Sequence, residues 1–471
     1  MTQFRFYFPD NKDFVDPEFD GRDNSRTKHH RTYDDDHYPH QILTELPFDG
    51  MLVSLAGVGT MQKRGKYYEQ ELTEDFYFLG AREFLRLNKP KFKDVKLMGD
   101  CGAFDYHAEK EPPFTIEELI EFYDRGGFDY GISLDHIVFP YFRNEEAKDE
   151  FIEKSGSHAF HELIQESERR IKITLDNAKV FLEKSKPYSF QAYGVAHGYD
   201  QNSFLRSVKE LQEMGYRRIT IGGMIKAKTD ELLELLEQLG EIRHPETQFH
   251  LLGICRFDNI PTYVNSGVTS ADSTSPLMQG LKGGKYYSLS ENEENAKLEE
   301  SLMIRVRQCD HDNVQKHIEK YRDELQQHIS QMGQNNEYDI NLSNTALSVH
   351  ECVKRLEVDC LKKLRHFDET ALDLEGTLKA LIAYEKVTNE AYLPSKSTPS
   401  KVASLARNEE KYRAFLEQRE WRQCACGICK GGLMNIIFRS NQSNRRRGIH
   451  NLAIVTKHKN RVIESLEPAA K

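Results

Sequence analysis

Three cysteines within six residues, Cys424, Cys426 and Cys429, followed some twenty positions later by His450, carry the most specific chemistry in this chain. Three thiolates and one imidazole complete a tetrahedral zinc shell, and a shell with no open position marks a structural site. Such a site holds a loop-rich segment together where apolar core is thin. His458 is a rival for the fourth position. A second pattern is acidic: Asp100, Asp135 and Asp272 each close a short apolar run, in KLMGD, YGISLD and VTSAD. Converging carboxylates suit substitution at an anomeric carbon, where one attacks C1′ and another handles the proton. Taken singly, each aspartate is more often a helix cap or a turn former. A third pattern is glycine beside these runs, in Gly194-Val-Ala-His197-Gly198 and in Ile221-Gly222-Gly223-Met224. Glycine lets a flat ligand approach the backbone, whose amides could then read a purine edge. Tight turns into the next helix are the plainer reading, as a structural role is for His197.

The elements that must position these groups alternate. Strand candidates run MLVSLAGV (from Met51), KLMGD (from Lys96), YGISLDHIV (from Tyr130), SFQAYGVAHG (from Ser189) and RITIGGM (from Arg218), then QFHLLGI (from Gln248), VTSADST (from Val268) and KYYSL (from Lys285). Each is short, apolar and bounded by turn residues. Amphipathic helices such as FTIEELIEFYDRGG and QNSFLRSVKELQEMG lie between them and end on glycine. Eight strands, mostly followed by a helix, predict an α/β fold, a (β/α)8 TIM barrel, with a doubly wound open sheet as the alternative. On this numbering Asp100 ends the second strand, Asp135 the third and Asp272 the seventh. The predicted divisions are an N-terminal extension over 1–45 and a barrel over 46–290. A helical insertion over 291–400, without strand signal, and a zinc-binding segment over 401–471 that completes the barrel follow.

Composition narrows the setting. Hydrophobic residues make up 38% and charged residues 30% of 471, as in ordinary globular proteins, and no run of about eighteen apolar residues offers a membrane span. The acidic N-terminus lacks a secretory leader, and eight scattered cysteines suit a reducing compartment, so a cytoplasmic protein is expected. A net charge of −10 argues against generic nucleic-acid binding. Local basic runs remain: Lys63, Arg64 and Lys66; Lys282 and Lys285; and Arg445, Arg446 and Arg447 just before His450.

In register along the chain, these motifs resemble those of the tRNA-guanine transglycosylases. The family's Asp-Ser-Gly-Gly-Phe-Gln looks like Asp100-Cys101-Gly102-Ala103-Phe104-Asp105, and its base-binding aspartate resembles Asp135. Its GIVQGG is similar to the run Gly194–Tyr199, its IGGL to Ile221–Met224, and its Met-Gly-Val-Gly to Leu252–Cys255. Its nucleophile segment resembles Gly267–Pro276, and its cysteine cluster with a closing His-Asn-Leu resembles Cys424, Cys426, Cys429 and His450-Asn451-Leu452. The resemblance implies Asp272 as nucleophile, Asp100 as general acid and base, and a structural Zn2+. It also implies a base held by Cys101, Asp135, His197, Gly222, Gly223 and Met224, with no redox or nucleotide cofactor.

Departures from the family bear on the substrate. The arginine that reads an anticodon loop is absent, since Leu277 and Met278 follow Pro276. Lys228 stands where bacterial tRNA enzymes carry a glutamate suited to a cationic base, so a neutral nitrile such as preQ0 fits better. With Phe6-Tyr7-Phe8-Pro9-Asp10 and Val15-Asp16-Pro17-Glu18-Phe19-Asp20, this is similar to the branch acting on DNA in 7-deazaguanine modification systems. That resemblance implies guanine exchange in DNA, tRNA being the alternative and a non-catalytic binding protein another. Arg445, Arg446 and Arg447 are then the phosphate-contact candidates. An ATPase-like partner and a homodimer are further expectations.

Overall fold

A computed structural model describes residues 4–21, 28–290, 297–342 and 347–466. The described chain divides into two compact units. One comprises 4–12, 48–275 and 459–466; the other comprises the described parts of 13–47 and 276–458.

The first unit is a closed parallel barrel of eight strands in sequential order. They are β1 (Arg5–Pro9), β2 (Gly50–Ser54), β3 (Lys96–Asp100) and β4 (Tyr130–Ile132), then β5 (Gln191–Ala196), β6 (Arg218–Ile221), β7 (Gln248–Leu251) and β8 (Val268–Asp272). Closure is made by β1, whose Phe8 pairs with Met51 and whose Tyr7 pairs with Asp272. The strand order expected from the sequence therefore needs correction at both ends. Residues 5–9, expected within an extension, form the first barrel strand, so Asp100 ends the third strand and Asp272 the eighth, and Asp135 follows the fourth. The reason lies in packing. Tyr7 points into the barrel, while Phe6 and Phe8 point outward onto Phe257 and Phe48, so this aromatic strand is buried on both faces and alternation is hidden. Inside, Tyr7, Leu52, Met98, Ile132, Tyr193 and Val195 fill the barrel as a packed core rather than a pore.

Helices cover the outside: α1 (Gln70–Leu79), α2 (Ile116–Gly126), α3 (Ser157–Ser185), α4 (Gln201–Met214), α5 (Thr229–Ile242) and α6 (Ile260–Asn265). The glycine stop expected for α2 holds, and the structure adds a capping box at its start. Thr115 caps it and Glu118 returns the bond, and Gly127 ends it at φ 65°, a conformation that costs other residues. No helix among the described residues is long and apolar enough to cross a membrane.

The second unit is mainly helical, with α7 (Val349–Thr370), α8 (Leu374–Thr388) and α9 (Pro399–Gln418), and α10 (Asn441–Glu464) runs through its last segment. KYYSL, expected as a barrel strand, is instead β9 (Lys285–Leu289). It pairs antiparallel with β10 (Leu298–Leu302), which was expected to be helical. LEESL has weak strand propensity, and the exposed edge of β9 overrides it. The barrel closes without any strand from beyond Asp272.

Candidate active site and metal centre

Parallel strands in a barrel expose their C-terminal ends on one face, which is where loops can assemble a site. Here Asp100 is the last residue of β3 and Asp272 the last of β8. Asp135 lies three residues past β4, His197 directly past β5, and Gly222 directly past β6. The expected convergence of the three acids is realised at this rim. All three are buried, Asp135 and Asp272 almost completely. Burial raises the Asp100 carboxyl to about 7, the charge of Asp135 adds to it, and Asp272 adds less, against a hydrogen bond from Gly102 N–H at 3.1 Å. A carboxyl balanced near neutrality can both give and take a proton.

Around Asp135 the side chains interlock. The Cys101 thiol donates to Asp135 Oδ1 at 2.9 Å, and His197 Nε2 lies 2.7 Å from Oδ2. The Tyr106 hydroxyl lies 2.9 Å from both Cys101 Sγ and the Asp135 carbonyl, with one proton to share between them. Burial, then the charges of Asp135 and Asp100, push the Cys101 thiol well up, so it stays a neutral donor. The His197 ring lies flat against the glycine pair: a Cβ on Gly222 would sit 2.5 Å from His197 Cε1. At Gly223, φ is 83° and a Cβ would strike Val138 O at 2.4 Å, so both glycines are required. The Gly222 amide is engaged by Ala196 O at 3.1 Å, which removes it as a reader of the base. His197 Nδ1, buried and without a hydrogen-bond partner, is the polar atom left for a ligand beside the pair. Met224 is buried next to it.

Two further residues at this face receive no role from the sequence, although Phe104 lies within the Asp100–Asp105 motif. His250 on β7 is fully buried and places Nε2 3.1 Å from Asp272 Oδ1, which also accepts the Gly253 amide at 2.8 Å. A histidine inside the apolar run QFHLLGI is the one signal for it. Phe104, in the loop after β3, is 55% exposed and meets Phe139 edge to face at 6.1 Å. A bare aromatic ring at the rim is suited to stacking on a flat base. Lys228 is exposed as the N-cap of α5, at the end of the loop that leaves β6 on this face.

In the second unit, Cys424, Cys426, Cys429 and His450 bring their ligand atoms within 4.8 Å of one another. His450 Nδ1 lies 3.6, 3.4 and 3.3 Å from the three sulfurs. A tetrahedron with zinc bond lengths has sulfur-to-nitrogen edges of about 3.5 Å, so the four residues fit the ion. His450 Nε2 bonds Tyr287 O at 2.8 Å, which turns Nδ1 toward the sulfurs, and Tyr286 stacks on the ring at 4.1 Å. Asn451 holds the same strand through Tyr287 N at 3.0 Å and Lys285 O at 3.1 Å. His458, the rival ligand, lies outside the group.

The arginine run departs from expectation. Arg447 is fully buried and donates to Gly280 O, Ile436 O and Asn444 Oδ1. Arg446 is 6% exposed and donates to Asp16 O and Pro17 O, and Arg445 donates to Phe14 O. Burial, then the charge of Arg305, lower Arg447 to about 9. Arg446 and Arg447 tie carbonyls together and have no surface to offer a phosphate. On α10 they face inward because the helix is buried around most of its circumference here.

No protein-family model matches the chain. It is 36% identical over 456 residues, 97% of this chain and 96% of the relative, to a protein of Salmonella montevideo named DNA-guanine transglycosylase.

Proposed function

The chain belongs to the DNA-guanine transglycosylase family, and from that premise we propose that it exchanges guanine in DNA for a 7-deazaguanine base through a covalent Asp272 intermediate. The observation that carries this reading is the unequal setting of two acids on one rim. Asp272 accepts the Gly253 N–H at Oδ1, with His250 Nε2 3.1 Å from the same oxygen, while Asp100 is raised to about 7, as suits an acid. In the first half, Asp272 attacks C1′ of the target nucleotide. The C1′–N9 bond breaks with its electron pair on the base, and the Asp100 carboxyl gives its proton to the departing guanine. In the second half, the incoming base loses its N9 proton to the Asp100 carboxylate. N9 then forms the new bond to C1′, and Asp272 leaves as a carboxylate.

The rigid Cys101–Asp135–His197 cluster, with Gly222, Gly223 and Met224 beside it, would hold the base, and Phe104 would stack on it. A buried site of this kind requires the nucleotide to leave the duplex stack. For the incoming base, a neutral nitrile such as preQ0 is favoured, since the exposed ammonium of Lys228 at the rim disfavours a cationic substituent. Zinc at Cys424, Cys426, Cys429 and His450 would be structural, since four protein ligands leave no open position. The test is incorporation of radiolabelled guanine into plasmid DNA and into tRNA by the wild-type protein and Asp272→Ala. Label in DNA with wild type alone supports the reading. Label in tRNA alone moves the substrate to RNA, and label in neither refutes the exchange.

A further inference from the structure

We propose that a buried relay, Ser270–His250, positions the Asp272 carboxylate so that one chosen oxygen attacks; the inference rests on the base-exchange reading above. His250 Nε2 is 3.1 Å from Asp272 Oδ1, and His250 Nδ1 is 2.8 Å from Ser270 Oγ. The Tyr193 ring packs edge to face against the same imidazole at 6.1 Å. All four side chains are buried, and the imidazole is entirely so. An ionised carboxylate can only accept, so Nε2 carries the proton, and Nδ1 then accepts the Ser270 hydroxyl. The ring is thereby satisfied at both nitrogens, its tautomer set by the serine behind it.

The backbone is shaped for this contact. Register between β7 and β8 shifts at Phe249 and His250: Phe249 pairs with Val268, but His250 pairs with Ser270. The extra residue on β8 brings Ser270 opposite His250 and turns Asp272 toward the same ring. A bulge of this kind re-aims side chains beside a site. Tyr7 and Tyr193 meet the imidazole edge to face at 5.8 and 6.1 Å, which fixes its plane. Oδ1 thus receives both His250 and the Gly253 amide, which leaves Oδ2 as the oxygen to attack. His250 does not touch the base, so it is a positioning residue.

The experiment compares steady-state exchange by wild type, His250→Phe, His250→Gln and Ser270→Ala, with circular dichroism melts alongside. His250→Phe keeps the ring and loses the donor. Its kcat should fall about a hundredfold, the scale of a displaced reacting group, with KM for guanine within about twofold. His250→Gln, which can still donate to Oδ1, should recover about tenfold of that loss, and Ser270→Ala should lose about tenfold through the wrong tautomer. A folded His250→Phe with wild-type kcat, or a loss confined to KM, overturns the relay. Nitrogen NMR of histidine-labelled wild type gives a readout free of activity, with His250 assigned by loss of its signal in His250→Gln. A fixed Nε2–H tautomer supports the relay and an Nδ1–H tautomer overturns it. Wild type without exchange would sink the base-exchange reading instead, leaving the tautomer result to stand on its own.

Discussion

Asp100→Asn removes an acid whose ionisation the fold resists, and it keeps the shape and an oxygen that can accept the Gly102 amide. The wild-type carboxyl is raised from 3.8 to about 7 by burial and by the charge of Asp135. Between those values the folded protein holds a proton that the unfolded chain has released, so wild-type stability falls as pH rises across that window. Both states carry the proton below the window, and the full cost is present above it. Worked from the two values, Asp100 costs about 2 kcal/mol at about pH 5 and about 4 kcal/mol at about pH 8. Asparagine escapes this cost at every pH. For a barrel of this size each kcal/mol moves Tm by about 2–4 °C, so the variant should melt on the order of 10 °C higher at about pH 8. At about pH 5 it should gain about half as much. Asp10, held at about 6 by burial against the Tyr68 hydroxyl bond, tilts both proteins alike and cancels in the comparison. The assay is a thermal melt of both proteins at the two pH values, paired with guanine exchange. A variant that melts below wild type at the higher pH, or a gap that does not widen with pH, refutes the electrostatic account. Retained exchange refutes the acid role.

Gly222→Ala should push the His197 ring off its seat and break the 2.7 Å bond to Asp135, raising KM for guanine tenfold or more and lowering Tm; an unchanged KM would remove His197 from base binding. His450→Ala should lose stoichiometric zinc by elemental analysis and lower the melting transition, while a chelator too mild to strip the metal leaves exchange intact. Arg447→Met should destabilise by about 3 kcal/mol in urea titration, because three carbonyl or amide acceptors lose their donor, while the salt dependence of DNA binding stays as in wild type. A shallower salt slope would return Arg447 to the phosphate contacts.

Local spacing makes the metal group legible in the residues themselves. Three cysteines within six residues can reach one ion wherever the segment lies, and the nearest histidine downstream completes the shell. The strand-end aspartates are legible for a related reason. A short apolar run that stops at an acid places that acid at the rim of any parallel barrel, whatever the strand's neighbours are. What the residues alone do not decide is pairing. β1 is hidden because an aromatic strand buried on both faces has no alternation, and KYYSL passes for a barrel strand because strand character does not name its partner. Arg446 and Arg447 read as a phosphate site and prove to be internal ties, since charge in a sequence says nothing about burial. His250 goes unmarked because its meaning lies in an atom twenty-two residues away, brought within 3.1 Å by barrel closure and a one-residue shift in register. Chemistry encoded in neighbouring residues survives in the sequence; chemistry made by long-range contact comes into being only when the chain closes.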